Sequence, residues 1–213
     1  MIFRLGIRGL IFPVNTPPIK KRWLFINYRK ATIADLNDIS ILVTNLLGTC
    51  NISKDSKLEV NKKDIINDNK QEIKKDINNY YVCEINNHIV GACGISNIKK
   101  EDAYNMNLGE YREILYLVVD NNYQKQGIGT KLLQLCCDNI KDRIIYEAWG
   151  DKGYVNSKYL LEKFGFELLK NLGDTYYKDN GYCMYCVNRN KKCNTCNAEL
   201  WIKNKGVDPN EWK

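Results

Sequence analysis

The chain has 213 residues, 44% hydrophobic and 27% charged, a size that supports one sizeable domain with a small appendage. No apolar run approaches the roughly 18 residues needed to cross a bilayer. The formal charge of +7 is unevenly placed: residues 1–30 hold Arg4, Arg8, Lys20, Lys21, Arg22, Arg29 and Lys30 with no acid, and the remainder balances 25 basic against 25 acidic residues.

The excess charge is therefore an arm on a neutral body, which argues against nucleic acid as the main partner. We read residues 1–25 as a basic N-terminal extension; Arg8 interrupts its apolar run and Pro13, Pro17 and Pro18 follow, so a signal-peptide pattern is not met. From Ile26 a short strand leads into a helix. Thr32 is its N-cap and Asp35 completes a capping-box-like start, while Ile33, Leu36, Ile39, Val43, Leu46 and Leu47 recur at helical spacing up to Gly48. Residues 51–79 are rich in Lys, Asn and Asp, anchored by Ile65, Ile66, Ile73 and Ile77; a solvated surface helix is the plain reading, a lid over a substrate the functional one. "YYVCEINNHIVGACGIS" is a hairpin about Asn86-Asn87. His88, beside that turn, is the only histidine, so neither a histidine-built metal site nor a usual triad is available.

A strand to Asp120, a polar turn and a helix from about Gly127 to Ile140 follow, with Ile128, Leu132, Leu135 and Cys136 on one helical face. "RIIYEAW" is a further strand, "VNSKYLLEKF" a helix ended by Gly165, and "FELL" with "TYY" a closing hairpin. The order β-α-(α)-β-β-β-α-β-α-β-β predicts a layered α/β (α+β) sheet. Cys50, Cys83, Cys93, Cys136 and Cys137 sit in apolar settings and read as small buried hydrophobes. Free thiols of this kind fit a reducing cytoplasm better than a disulfide framework.

The segment "ILYLVVDNNYQKQGIGTKLL" places Gly127 and Gly129 between a strand and a helix. A helix N-terminus presents unpaired N–H groups and partial positive charge, and glycines let a phosphate approach the backbone. A Walker loop fails on order and spacing, because Gly129-Thr130-Lys131 does not reproduce it. A dinucleotide fingerprint fails because Leu132 occupies its third small position.

Gln124-Lys125-Gln126-Gly127-Ile128-Gly129, after an apolar strand and before an amphipathic helix, resembles the central motif of the GNAT superfamily of N-acetyltransferases. "YLLEKFGFELL", with its Gly165-Phe166 pair, resembles that superfamily's last helix and following strand. The resemblance covers residues 26–178 and implies a mixed, mostly antiparallel sheet flanked by helices in a domain spanning 26–180. It implies that Gln124, Lys125, Gln126, Gly127, Ile128, Gly129 and Thr130 cradle the pyrophosphate of acetyl-coenzyme A. Leu117, Val118 and Val119 would bond the pantetheine arm, and the strand Arg143–Trp149 would splay away to open a slot. A primary amine then attacks the acetyl carbonyl directly.

Such chemistry needs a proton acceptor for the amine and a donor for the departing thiolate. Glu113, on the strand before the cradle, is the first candidate base, and Glu147 on the splayed strand the second. A backbone N–H near Val119 would polarise the carbonyl. The donor departs from the family pattern: the position of its usual tyrosine holds Leu161. Tyr159 is the nearest candidate, against the plainer reading that it packs, with Tyr154 also out of register. Asn156 and Ser157 fall where the family's helix begins to face the cofactor, and are candidate contacts to it or simple helix caps. Among the variable segments, Glu101, Asp102 and Glu110 are candidates for attracting a cationic amine, and Trp149 divides evenly between slot and core.

"CMYCVNRNKKCNTC" sets Cys183, Cys186, Cys193 and Cys196 as two Cys-x-x-Cys knuckles, a donor set that suits a structural zinc. Two disulfides or a redox dithiol are the rival readings. We place a zinc-ribbon-like appendage at 181–203 and a loose tail at 204–213. The leading expectation is a cytoplasmic acetyl transferase acting on an amine-bearing acceptor. Its rival is a binding module that grips protein or nucleic acid through ribbon and arm. Neither the acceptor nor the oligomeric state is legible.

Overall fold

A computed structural model describes residues 25–47, 61–100, 104, 106, 108–138, 140–151, 157–173, 176 and 196–204. Its strands are β1 (Ile26–Lys30), β2 (Tyr80–Ile85), β3 (His88–Ile95), β4 (Tyr111–Val119), β5 (Arg143–Asp151), β6 (Glu167–Gly173) and β7 (Cys196–Lys203). Its helices are α1 (Leu36–Leu46), α2 (Lys62–Lys75), α3 (Ile128–Cys137) and α4 (Lys158–Lys163). Up to β6 the order matches the one expected from periodicity; the last strand is a different segment. The strands form one seven-stranded sheet, β1-β2-β3-β4-β5-β7-β6. Every neighbouring pair is antiparallel except β4 with β5.

The hairpin β2–β3 turns on Asn86 and Asn87, both at positive φ (52° and 63°), the geometry of a two-residue primed turn. At the other end of β2's neighbour, Arg29 in β1 gives two guanidinium hydrogen bonds to the Asp35 carboxylate, at 2.7 and 2.8 Å, and its Nε donates to Glu84 at 2.9 Å. Asp35 also accepts the Thr32 N–H at 2.7 Å, so the expected cap ties β1 to the start of α1. Ile33, expected on the apolar helical face, instead lies exposed in the turn before α1.

The sheet is covered on both faces. On one, α1 and α2 pack Ile39, Val43 and Ile73 against Tyr80, Val82, Ala92 and Val118. The buried Asn69 side chain joins the two helices by donating to Thr44 Oγ1 at 2.9 Å. On the other face, α3 brings Leu132, Leu133 and Cys136 onto Cys83, Cys93 and Ile114, and Leu161 and Phe166 extend that layer to β5 and β7. Each fully buried large aliphatic residue of these layers stabilises by about 1.5–3 kcal/mol. Cys83, Cys93, Cys136 and Cys137 are free and buried, as small core residues; Cys50 lies outside the described residues.

The end of the chain differs from the sequence expectation. The partner of β6 is not "TYY" but β7, which is inserted between β5 and β6 with a register from Ile144↔Lys203 to Asp151↔Cys196. "AELWIK" is thus a sheet strand with Ala198, Leu200 and Trp201 buried. From sequence this run reads as a strand returning to pack on the ribbon or on the domain. Only the pairing with β5 shows that it completes the main core.

Candidate active site

The site begins where β4 and β5 separate. Their parallel register covers only Tyr111↔Arg143, Arg112↔Ile144 and Glu113↔Ile145. Beyond it, β5 keeps β7 as its partner to the last residue, while β4 bends away. The cause lies in β4 itself. Its register with β3 passes from Ala92↔Val118 to Gly94↔Leu115, one extra residue on β4, and Tyr116 takes a φ of 47°. A bulge of this kind bends and twists the strand that carries it. The result is a slot between the facing edges of β4 and β5. Asp120 donates its N–H to Val90 O on the β3 side. Strand alternation then turns the backbone groups of Leu117 and Val119 toward the slot.

At one end of the slot stands the glycine loop. Asp120 accepts the Asn122 N–H at 2.8 Å, and Gln124 Nε2 donates to both Val119 O and Asn121 Oδ1 at 2.9 Å. Lys125 and Gly127 are left-handed, with φ of 60° and 82°. Gly127 is the N-cap of α3, and the first turn of that helix carries no acid. The N–H groups of Ile128, Gly129 and Thr130 start α3 without helical acceptors. A Cβ at Gly127 would meet nothing within 4 Å. The loop is thus an open, positively polarised hollow at the slot's edge, suited to an anion.

Around the fork the two faces differ. On the face opposite α3, Glu113 occupies the last paired position, and its carboxylate takes the Lys99 ammonium at 2.6 Å. Its own N–H donates to Ser96 Oγ at 2.9 Å. Arg112 braces the same base through Asp142 at 2.7 Å and Ser96 O at 3.1 Å. Glu147, two residues past the fork on β5, accepts from the hydroxyls of Tyr104 (3.0 Å) and Tyr176 (2.9 Å), whose rings lie 6.5 Å apart. Burial first, then the negative charges of Glu113 and Glu147, push the Tyr104 phenol far above its usual range. On the α3 face, Tyr146 packs at the edge of the core layer, and its hydroxyl meets the Ser157 side chain at the start of α4. Burial is the main cause that raises this phenol above the ordinary tyrosine value.

Glu113 and Glu147 thus share one face of the fork about Tyr104, Ser157 meets Tyr146 on the other, and β4 leads through Leu117 and Val119 to the loop Gln124 to Thr130. Val118 faces the α1–α2 layer and is buried there. Tyr159 is 75% exposed on α4, so the expectation that it packs is overturned, and it stands apart from the hydrogen-bonded groups of the fork. Leu161 is fully buried as a core residue. Trp149 is 43% exposed and so is not part of the buried core. Asn156, Cys183, Cys186 and Cys193 lie outside the described residues, while Cys196 is the first residue of β7. Tyr146, Tyr104, Tyr176 and Lys99 escaped the sequence reading. The alternation in "RIIYEAW" already sets Tyr146 and Glu147 on opposite faces, but it does not reveal that Ser157 meets one and two phenols the other.

Residues 76–168 match a family model described as "Acetyltransferase (GNAT) domain". That segment is similar to a GNAT acetyltransferase domain. Solved structures with the same fold include PH1933 from Pyrococcus horikoshii OT3, 20% identical, covering 85% of this chain and 99% of that chain at a TM-score of 0.58. An N-acetyltransferase from Staphylococcus aureus Mu50 is 17% identical over 84% of this chain and 98% of that chain, at a TM-score of 0.53. Arabidopsis thaliana Naa50, in complex with the bisubstrate analogue CoA-Ac-MVNAL, is 18% identical with the same coverage, at a TM-score of 0.52. At these identities the likeness is one of fold. No curated protein matches the sequence. The fork, the bulge, the glycine loop and the whole of α3 fall within the matched segment, which supports an acyltransferase. Among the described residues no helix is long and apolar enough to cross a membrane.

Proposed function

We propose that the protein transfers the acetyl group of acetyl-coenzyme A to a primary amine by direct attack. The observation that carries this reading is the alignment of the slot with the glycine loop: an open β4 edge leads straight into a helix start shaped for a diphosphate. The N–H groups from Gly127 to Thr130 hold the pyrophosphate. The slot-facing backbone of Leu117 and Val119 pairs with the pantetheine amides as a missing strand would, and the Val119 N–H polarises the carbonyl. The acetyl group then stands at the fork, with the amine arriving from the face opposite α3.

Glu113, at the branch, takes the amine's proton. Its ion pair with Lys99 and the brace through Ser96 hold it in place. Glu147 is the alternative acceptor, oriented by two phenols. Tyr146, kept protonated by burial and joined to Ser157, replaces the missing tyrosine at Leu161 as proton donor to the departing thiolate. This assigns the donor to β5 instead of α4 and takes Tyr159 out of the reaction.

The four cysteines fit a structural zinc. All four donors are thiolates, so no coordination position is left open for chemistry. Support comes from β7: because β6 and β7 are sheet neighbours, the connection that holds Cys183, Cys186 and Cys193 starts and ends in one sheet. In this reading a zinc held by Cys183, Cys186, Cys193 and Cys196 steadies β7. No observation favours the binding-module alternative.

The test is thiol release from acetyl-coenzyme A across a panel of amines, with wild type and Glu113→Gln. Transfer to an amine, reduced in the variant near neutral pH and partly regained at high pH, is expected. Coenzyme A binding without transfer to any amine would refute the assignment.

A further inference from the structure

The carboxylate assigned as base already holds a primary amine of the chain itself. Lys99 Nζ stands 2.6 Å from Glu113 Oε2. The backbone sets this up. Lys99 and Tyr111 exchange N–H to O hydrogen bonds in both directions, at 2.8 and 3.0 Å, so the lysine side chain starts directly beside Tyr111. Residues directly opposite in such a pair, and residues two apart on one strand, share a face. Lys99 therefore runs along the face of β4 from Tyr111 to Glu113. That direction leads to the slot, because the pairing of β4 with β5 ends at Glu113↔Ile145. The two side chains are 38% and 20% exposed, so the ammonium is neither sealed in the core nor loose in solvent.

Other lysines of the chain also pair with carboxylates, but elsewhere. Lys75 meets Glu72 at 2.7 Å within α2, and Lys100 meets Glu110 at 2.6 Å before β4 begins. We propose that Lys99 is a modification site: the protein acetylates its own Lys99 Nζ from acetyl-coenzyme A bound in the slot. This rests on the amine-acetylation reading above. Glu113 takes one proton from the ammonium, and the neutral amine, released from the ion pair, swings on its flexible stem to the acetyl carbon. The Nζ lone pair forms the amide C–N bond as the C–S bond breaks. The sulfur leaves with the bonding pair and takes the second proton. The products are acetylated Lys99, coenzyme A and one proton that Glu113 returns to solvent. A tethered amine needs no capture from solution, which is the advantage of an intramolecular acceptor. Acetylation also removes the lysine charge, so Glu113 loses its cation and is left to serve amines that arrive from outside.

The experiment incubates the purified full chain with acetyl-coenzyme A, isotope-labelled in the acetyl group, without added amine. Peptide mass spectrometry then follows each lysine over time at several protein concentrations. Label is expected at Lys99 roughly tenfold or more faster than at Lys100 or Lys75, at a rate per molecule that does not depend on protein concentration. Glu113→Gln should slow it by roughly a hundredfold, and Lys99→Arg, which keeps a cation for Glu113, should abolish the fast phase of labelling in the intact protein. A Lys99 already acetylated on purification, in wild type but not in Glu113→Gln, counts as the same result. Lys100 is the sharpest control: it is the next residue, it is also ion-paired, and at 75% exposure it would be labelled first by simple chemical acylation. Equal labelling of Lys99 and Lys100, or a Lys99 rate that Glu113→Gln leaves unchanged, would overturn the proposal. So would a rate per molecule that rises with protein concentration, since the acetyl group would then come from another copy. Transfer to added amines with Lys99 unlabelled would overturn it and leave amine acetylation intact. Binding of coenzyme A with neither lysine nor added amine acetylated would remove both.

Discussion

Replacing Gly127 by alanine separates backbone strain from ligand exclusion, because the molecule contains its own control. Gly127 has a φ of 82° and Gly165 a φ of 75°, and a Cβ at either would meet nothing within 4 Å. An L-residue in the left-handed region costs roughly 1–2 kcal/mol. At about 2–4 °C per kcal/mol for a chain of this size, each alanine variant should lower the Tm by about 2–8 °C, and the two by similar amounts. They should part company on coenzyme A. Gly127 caps α3, and in the proposed cradle its new Cβ would occupy the space through which phosphate oxygens reach the N–H groups. Gly165 sits between α4 and β6, away from that hollow. Gly127→Ala should weaken coenzyme A binding at least tenfold, equivalent to about 1.4 kcal/mol, while Gly165→Ala binds as wild type. Calorimetric titration with coenzyme A, with a thermal melt of each protein, makes the comparison. Equal affinity for all three proteins would refute the phosphate-cradle argument. Equal weakening in both variants would mean that the effect is strain spread through the fold and not contact with the ligand.

Other outcomes follow from the same geometry. The Arg29 guanidinium holds the Asp35 carboxyl from 3.8 down to about 2; a lowered carboxyl stabilises the fold fully above its unfolded value and loses that contribution as pH falls from about 4 to about 2. The contribution is about 2 kcal/mol, so wild type should exceed Asp35→Asn in Tm at pH 5 and converge with it near pH 2; a gap that does not change with pH would count against the ion pair. Tyr146→Phe should cut kcat by roughly a hundredfold with coenzyme A affinity retained, and because burial raises the phenol, wild-type activity should show no alkaline fall up to pH 10. An unchanged kcat would return the donor role to another group. The purified chain should hold about one zinc, and a strong chelator should lower the Tm and speed amide exchange in β7 more than in β2. Chelation without effect on β7 would sink the idea that the metal steadies that strand.

The parts of this fold that the sequence discloses are those set by local rules. The capping box at Thr32 and Asp35, the Asn86-Asn87 turn and the amphipathic repeat of α3 each depend on residues within a few positions of one another, and each stands where periodicity and turn chemistry put it. The glycine loop was legible for the same reason: strand, turn and helix start are contiguous. What the sequence hides is contact across distance. Glu113 reads as a strand carboxylate, yet its partner Lys99 comes from a neighbouring segment and meets it only because β3 and β4 pair. Tyr146 and Ser157 are eleven positions apart in the numbering and meet only when α4 folds back on β5. Tyr159 shows the converse error. Helical spacing suggests that it packs, but α4 has only six residues, and its inward face is taken by Leu161.

The strand beyond the cysteines is the clearest case of a tertiary override, and it bears on how the slot stays open. Opening a sheet between two strands exposes two edges, and a free edge tends to find another strand. Here β4 is bent by its bulge at Tyr116, but bending alone would leave β5 free to follow. It does not follow because β7 holds it along its whole length, from Ile144↔Lys203 to Asp151↔Cys196, with Trp201 buried and its Nε1 bonded to Glu199 at 3.0 Å. One strand is pulled aside by an extra residue and the other is pinned from behind by the last strand of the chain. The slot is thus a product of both ends of the sequence. A change confined to β7, such as Leu200→Ala at a cost of about 2–5 kcal/mol, should loosen β5 and degrade coenzyme A binding although β7 lies on the side of β5 away from β4. If coenzyme A affinity survives that loss of stability intact, the slot is held by β4 alone and the pinning argument fails.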